Sequence, residues 1–353
     1  MNCTGSMKRG ENMKQLLNTL YVMTQGSYLS LDHDTLRVEV DGTKNHVPLH
    51  HLGGIVAFGN VMMTPFLIHR CAEDGRSIVL MDKRGRFKAR LVGSTKGNVF
   101  LRQAQYDTLK DEAATASIAR NIAAGKLRNS RSVLLRGARE AYSPESAEAL
   151  RSGAAVIANA VTRLESAGLE ETRGLEGESA RAYFGALKHM VLKDPGNFTM
   201  NTRTRRPPMD PMNALLSYLY SMLLHDCISA LEGVGLDPQV GFLHCVRPGR
   251  PALGLDLMEE FRSIVADRLA LTLVNRGQLT ITDFIYKEGM SVYLDDSGRK
   301  TVSVAYQKKK QEETAHPLFE GKVPIGLLPH IQARLLARYL RGDLEGYPPY
   351  LMS

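Results

Sequence analysis

The sequence predicts an α+β fold, in which a small, β-sandwich-like N-terminal β-domain precedes a larger all-α C-terminal domain. Two periodicities and the length carry this. From Tyr28 to about Leu91 apolar residues alternate with polar ones or gather in short runs, as in strands; beyond about residue 100 they recur every three or four residues, as in helices. A chain of 353 residues, 43% of them hydrophobic, has room for two ordinary domains. The domains are expected at 13–97 and 98–353. Residues 1–12 read as an upstream start or a cloning remnant, because periodic sequence begins only after Met13.

In chain order, YLSL at 28–31 and TLRVEV at 35–40 read as strands, the second with Leu36, Val38 and Val40 on one face. Asp41-Gly42 is a hairpin turn signal. IVAFG after Gly53-Gly54 and IVLM after Asp74-Gly75 read as buried strands, and GRFKARL starts at another glycine turn. Thr64-Pro65 opens a short helix with proline at its first position. Further on, Ser143-Pro144 caps a helix whose apolar positions Leu150, Ala154, Ile157, Val161 and Leu164 lead to an end at Gly168. Asp210-Pro211 opens a helix apolar on nearly every side, which belongs at the centre of its domain. Pro329 begins and Gly342 closes the last helix.

No apolar run reaches the roughly 18 residues of a membrane span, and the N-terminus lacks the apolar core of a signal peptide. A cytoplasmic protein without membrane contact is expected. Cys3, Cys71, Cys227 and Cys245 lack C-x-x-C spacing, which argues against a zinc ribbon or a disulfide framework. Lysine and arginine number 45 against 37 acidic residues, and the net charge of +8 suits a polyanionic partner.

Four residues bear the chemistry. Glu176 is expected at the start of a helix, beside Gly177, which permits close backbone approach; it either complements the helix dipole or ligates a cation. His244 lies in the loop GFLHCVRPG, a place for a satisfied core histidine or for a ligand. Asp256 and Glu259 follow at i and i+3 on one apolar helical face, where two carboxylates are costly to bury unless a cation or a basic side chain neutralises them. One imidazole with two or three carboxylates suits Mg²⁺ or Mn²⁺ in phosphate chemistry, although this spacing alone is not diagnostic. Among basic stretches, Arg203, Arg205 and Arg206 sit in a loop that Pro207-Pro208 holds extended, a candidate contact for DNA phosphates. Residues 126–139 carry Lys126, Arg128, Arg131, Arg136 and Arg139 with no acidic residue, and Lys308–Lys310 precede Glu312 and Glu313. A solvated face is the commoner meaning of each such cluster, and the arginine loop before the central helix is the one that reads as a DNA contact.

The segments LEGESARAYF, RTRRPPMDPMNALLSYLYS, GFLH and LDLMEEFR, in this order, resemble the CRISPR-associated adaptation integrase family, the universal first Cas protein. The resemblance runs from Met13 to the C-terminus, and the end segments LLNTLYV and KVPIGLLPHIQARLLARYLRGDLEGYPPYL are similar to subtype I-C members. It implies an N-terminal β-domain that forms a homodimer, and a helical domain carrying the metal site. It also implies a small second adaptation Cas protein bridging two dimers, and double-stranded DNA, both protospacer and CRISPR leader-repeat, as substrate. The implied reaction is attack of a DNA 3′-hydroxyl on a repeat phosphodiester, with DNA cutting at the same site. By motif match Glu176, His244 and Glu259 are the implied metal ligands and catalytic residues. Many members carry aspartate at the position of Glu259. Asp256 matches a second family acid, a support or alternate ligand, and Arg262 a position often basic, implied to contact DNA phosphate. Asn213 and Tyr183 match positions near the site. A non-catalytic DNA-binding scaffold and a general branched-DNA nuclease of repair are the competing functions.

Overall fold

The alternating N-terminal pattern folds into β1 (Asn18–Val22), β2 (Ser27–Asp32), β3 (Thr35–Val40), β4 (Thr43–Pro48), β5 (Leu52–Phe58), β6 (Val61–Met63), α1 (Pro65–Glu73), β7 (Ser77–Met81) and β8 (Phe87–Leu91). The computed structural model describes residues 18–352 apart from 84, 86, 92, 94–98, 199, 201, 205 and 206. Residues 1–12 and the expected boundary at 97/98 therefore lie outside the described residues. One sheet has the order β1-β5-β7-β8, its first three strands parallel; the other has the order β4-β3-β2-β6. Asp41 and Gly42 both take positive φ, 48° and 80°, as the tight hairpin between β3 and β4 requires.

Leu29 and Leu36 of one sheet meet Ile55 and Ile78 of the other, with Leu67 and Cys71 of α1, in a single core. The opposite face of β5 and β7, with Val56, Phe58, Val79 and Met81, joins the core of the helical domain. Strands covered on both sides explain why these two read as continuous apolar runs rather than alternating ones.

The C-terminal part contains α2 (Val99–Lys110), α3 (Glu112–Arg139), α4 (Pro144–Leu164), α5 (Leu169–Leu187), α6 (Pro195–Phe198), α7 (Pro211–Gly233), α8 (Ala252–Glu259) and α9 (Arg268–Asn275). It continues with β9 (Phe284–Lys287), β10 (Ser291–Leu294), α10 (Asp296–Gln311), β11 (Glu313–His316), β12 (Phe319–Pro324) and α11 (Leu328–Leu340). The domain is thus helical with two short antiparallel pairs, β9–β10 and β11–β12. Strands of four to six residues are too short for a period to show. Thr64, Ser143 and Asp210 cap their helices by accepting from Leu67, Ser146 and Asn213 N–H groups.

Four expectations change. Gly168 does not end α4, which stops at Leu164; it is the N-cap of α5. Glu176 consequently lies in the middle of α5 rather than at a helix start, and its macrodipole role falls away. Gly177 makes no close approach: among the described residues, nothing beyond its chain neighbours and its own helix backbone lies within 4 Å of where its Cβ would be. Helix α7 is, among the described residues, the one segment long and apolar enough to cross a membrane, contrary to the expectation of none. Its most apolar window is 72% buried inside the protein, as in a central core helix. Cys71, Cys227 and Cys245 are free thiols.

Between α8 and α9 the chain widens into a π-helical turn, Arg262–Asp267. The extra residue per turn directs both Arg262 and Asp267 into the protein, where each is buried.

Candidate active site

The site is assembled from α3, α5, α8 and the loop before α8. Asp256, fully buried on α8, accepts the backbone N–H groups of Phe242 (2.6 Å), Leu243 (3.0 Å) and His244 (2.9 Å). Three amide donors compensate the buried charge and hold the loop against the helix. Gly241 is sterically required, since a Cβ there would stand 2.8 Å from Asp256 Oδ2 and 2.6 Å from the Ala252 carbonyl carbon. Asp256 Oδ1 also lies 2.7 Å from His244 Nδ1. With Asp256 Oδ1 accepting, Nδ1 is the ring nitrogen that donates, which leaves Nε2 facing the site.

That nitrogen faces Glu259 Oε1 at 3.7 Å, and Arg262 Nη2 stands 3.1 Å from the same oxygen. Lys126 Nζ, from α3, lies 2.7 Å from Glu259 Oε2, an ion pair outside hydrogen-bonding angles, and also pairs with Glu176 Oε1 from α5. Burial would push the Glu259 carboxyl up, but the Arg262 guanidinium, the Lys126 ammonium and His244 hold it well below the usual carboxylate range. The fold therefore brings Glu176, His244 and Glu259 together, with Asp256 behind the imidazole. Among the described residues no three His, Cys, Asp or Glu side chains form a ready-made metal cage. Lys126 stands between the two glutamates.

Residues 20–308 match the family model of CRISPR associated protein Cas1. The chain belongs to the Cas1 family. It is 57% identical over 341 residues to CRISPR-associated endonuclease Cas1 1 of Moorella thermoacetica, covering 96% of this chain and 99% of that one. Its fold is that of a casposase bound to integration product, with a TM-score of 0.80 at 22% identity over 93% of this chain and 92% of the other. It is also that of a Cas6-RT-Cas1–Cas2 complex chain, with a TM-score of 0.79 at 21% identity over 98% of this chain and 37% of that one.

In this Cas1-family chain the two expected DNA arginines among the described residues, Arg203 and Arg262, are engaged internally. Arg262 is 8% exposed, paired with Glu259, and lies over the Tyr220 ring at 5.0 Å, so its partner here is a carboxylate rather than open solvent. Arg203 donates to Asn213 Oδ1 (2.7 Å) and Ser217 Oγ (3.1 Å) and stands 5.3 Å from the same ring. Arg205 and Arg206 lie outside the described residues. Asn213 anchors the arginine loop, donating to Thr202 O and accepting from Thr204 N. In the lysine run, Lys309 pairs with Glu312 and Lys310 with Asp226.

Two functional neighbours escaped sequence reasoning. Lys126 was grouped with a basic stretch, yet it lies on the buried stripe Ala119, Ile122, Ser130 and Val133 of α3, a legible sign that its head has a buried partner. Asp267 accepts from Tyr220 OH (2.6 Å) and Tyr183 OH (2.9 Å). Burial pushes its carboxyl up to about 6 against the pull of both tyrosines. Its inward direction depends on the π turn, which leaves no periodic mark.

Proposed function

We propose that this chain is a divalent-metal-dependent DNA endonuclease and integrase of CRISPR adaptation, joining short foreign DNA to the array by attack of a 3′-hydroxyl on a phosphodiester. One observation carries this: Glu259 is a buried carboxylate kept ionised by the Arg262 and Lys126 cations, with the His244 imidazole 3.7 Å from its Oε1. Asp256 supplies the contrast, because its oxygens are already taken by three amides and the imidazole. An acid that only organises the core looks like Asp256.

Glu176, His244 and Glu259 would hold the ion, and their oxygen-rich donor set fits Mg²⁺ or Mn²⁺. Bound there, an ion would supply positive charge where negative charge builds on the scissile phosphate. Asp256 fixes the tautomer and direction of His244, and Arg262 adds positive field at Glu259. The nucleophile belongs to the DNA, so the protein contributes position and field rather than a serine or cysteine.

The partners proposed are duplex DNA, a second copy of the chain, and a small Cas2-type protein bridging two dimers. The name of the 57% identical relative, an endonuclease, supports the reaction, and its near-complete overlap extends that support to the whole chain. In the β-domain Tyr28 and Met62 are cross-strand neighbours and, with Phe66 at the start of α1, remain exposed. Such an apolar patch supports dimerisation through this domain.

The test is strand transfer into a leader-repeat duplex with the small partner, chelator and metal add-back. Mn²⁺ or Mg²⁺ is expected to restore activity to the wild type but not to Glu176→Ala or His244→Ala, both of which keep DNA binding. Normal integration by both variants would return the chain to the scaffold function. Equal cutting of unrelated branched DNA, with no preference for the leader-repeat junction, would favour a repair nuclease.

A further inference from the structure

Lys126 takes no part in the chemistry assigned so far, yet it is the most central cation of the site. Its ammonium pairs with Glu176 and stands 2.7 Å from Glu259, answering the same electrostatic demand as the divalent ion proposed above. Two cations cannot share that place: they repel at a few ångströms, and carboxylate oxygens engaged by an ammonium are not free to ligate.

Space to move lies alongside. A cavity of about 20 Å³ between α3, α5, α7 and the π turn has a mostly apolar wall, with Lys126, Ser179, Ser263 and Asp267 as polar lining and the Arg262 side chain also at its edge. It has room for about one water or one ammonium group. Ser179 and Ser263 are each 2% exposed, and their hydroxyls have no hydrogen-bond partner among the described residues. Unsatisfied buried hydroxyls are costly, so two acceptors are open to a donor there, beside an Asp267 carboxylate that already accepts from Tyr183 and Tyr220. Lysine suits the task, being a compact charge on a flexible stem.

Resting on the metal-dependent function above, we propose that Lys126 is a built-in competitor of the divalent ion. Its ammonium holds Glu176 and Glu259 together in the metal-free protein, and swings into the serine-lined cavity as the ion takes the two carboxylates. Metal affinity is thereby set by a displacement inside the protein as well as by the ligands.

The test is Mn²⁺ binding by calorimetry, with thermal unfolding, on full-length wild type, Lys126→Met and Lys126→Gln. Both variants are expected to bind Mn²⁺ about tenfold or more tightly. Their metal-free unfolding midpoints should drop, since two carboxylates are left facing each other, and Mn²⁺ should restore them. Unchanged or weaker binding overturns the proposal. Glu176→Gln separates the two levels. If the wild type binds Mn²⁺ and this variant does not, the metal site stands and the Lys126 variants decide; if the wild type binds none, both ideas fail. Should neither lysine variant fold without metal, reductive methylation of the wild type decides. The labelling rate of Lys126 should change when Mn²⁺ is present, and an unchanged rate overturns the displacement.

Discussion

Glu259 and Glu260 are consecutive residues, both almost wholly buried, and they differ in every neighbour. Glu259 turns toward Arg262, Lys126 and His244, and these hold its carboxyl well below the usual range despite burial. Glu260 turns to the other side, where it accepts from the Tyr347 hydroxyl, Tyr350 N–H (2.7 Å) and Gln332 Nε2 (2.9 Å). Those donors are neutral, and burial pushes the Glu260 carboxyl up to about 7 against them. Its network ties the C-terminal segment to the core, with Asn129 bridging the Glu260 and Tyr350 carbonyls. Burial of an acid therefore does not mark a functional site. The sign of what faces it does, because cations keep a carboxylate charged and available whereas neutral donors spend it on structure.

The largest expected effect breaks or upholds this contrast directly. Glu259→Gln should lower metal-dependent strand transfer by about a hundredfold to a thousandfold, the scale for removing one key electrostatic group. Glu260→Gln, assayed at a temperature where it is folded, should stay within a few-fold of wild type. Equal losses in both would mean that the cationic surroundings of Glu259 carry no functional weight.

A smaller effect sharpens the role of the acid one turn back. Asp256→Asn leaves one oxygen for the loop amides but places an NH₂ group against donors, so His244 loses the partner that fixes its tautomer. Strand-transfer rate should fall about tenfold to a hundredfold, as for other groups that orient a metal-binding histidine. DNA affinity, measured separately, should be unchanged. A loss as deep as that of Glu259→Gln would instead make Asp256 a direct participant.

What the sequence disclosed follows the range of each interaction. The caps at Thr64, Ser143 and Asp210 were legible because each side chain bonds an amide three residues away. The β3–β4 hairpin was legible because Asp41-Gly42 tolerates positive φ. Asp256 and Glu259 could be placed on one face of a helix, but spacing alone could not choose Glu259 over Glu260, since i+3 and i+4 both neighbour Asp256. Taking the i+3 acid passes over its neighbour without a local ground, and the family resemblance matches the same residue. The meeting of Lys126, Glu176 and Glu259 joins three helices, α3, α5 and α8, and no local pattern encodes it. The extended reach of α5 toward its N-terminus was hidden because Gly168 reads as a stop but serves as a start.

The subtlest consequence of the contrast is in the pH dependence of stability. Glu260 has a folded value of about 7 against its ordinary 4.5, so between these the folded chain binds more protons than the unfolded one. Stability from this group is full below about 4.5 and lost as the pH rises toward 7, a change of roughly 3 kcal/mol at most. Glu259 has the opposite sign: its contribution is present above the ordinary carboxylate range and lost only as the pH falls below it. A window from pH 5 to pH 8 therefore isolates Glu260. Denaturant unfolding in chelator should find Glu260→Gln less stable than wild type at pH 5, with the gap closing toward pH 8. Asp267, also raised, titrates in both proteins and cancels. If the two stability curves run parallel, Glu260 is ionised throughout, and the adjacent glutamates differ in their partners but not in their charge.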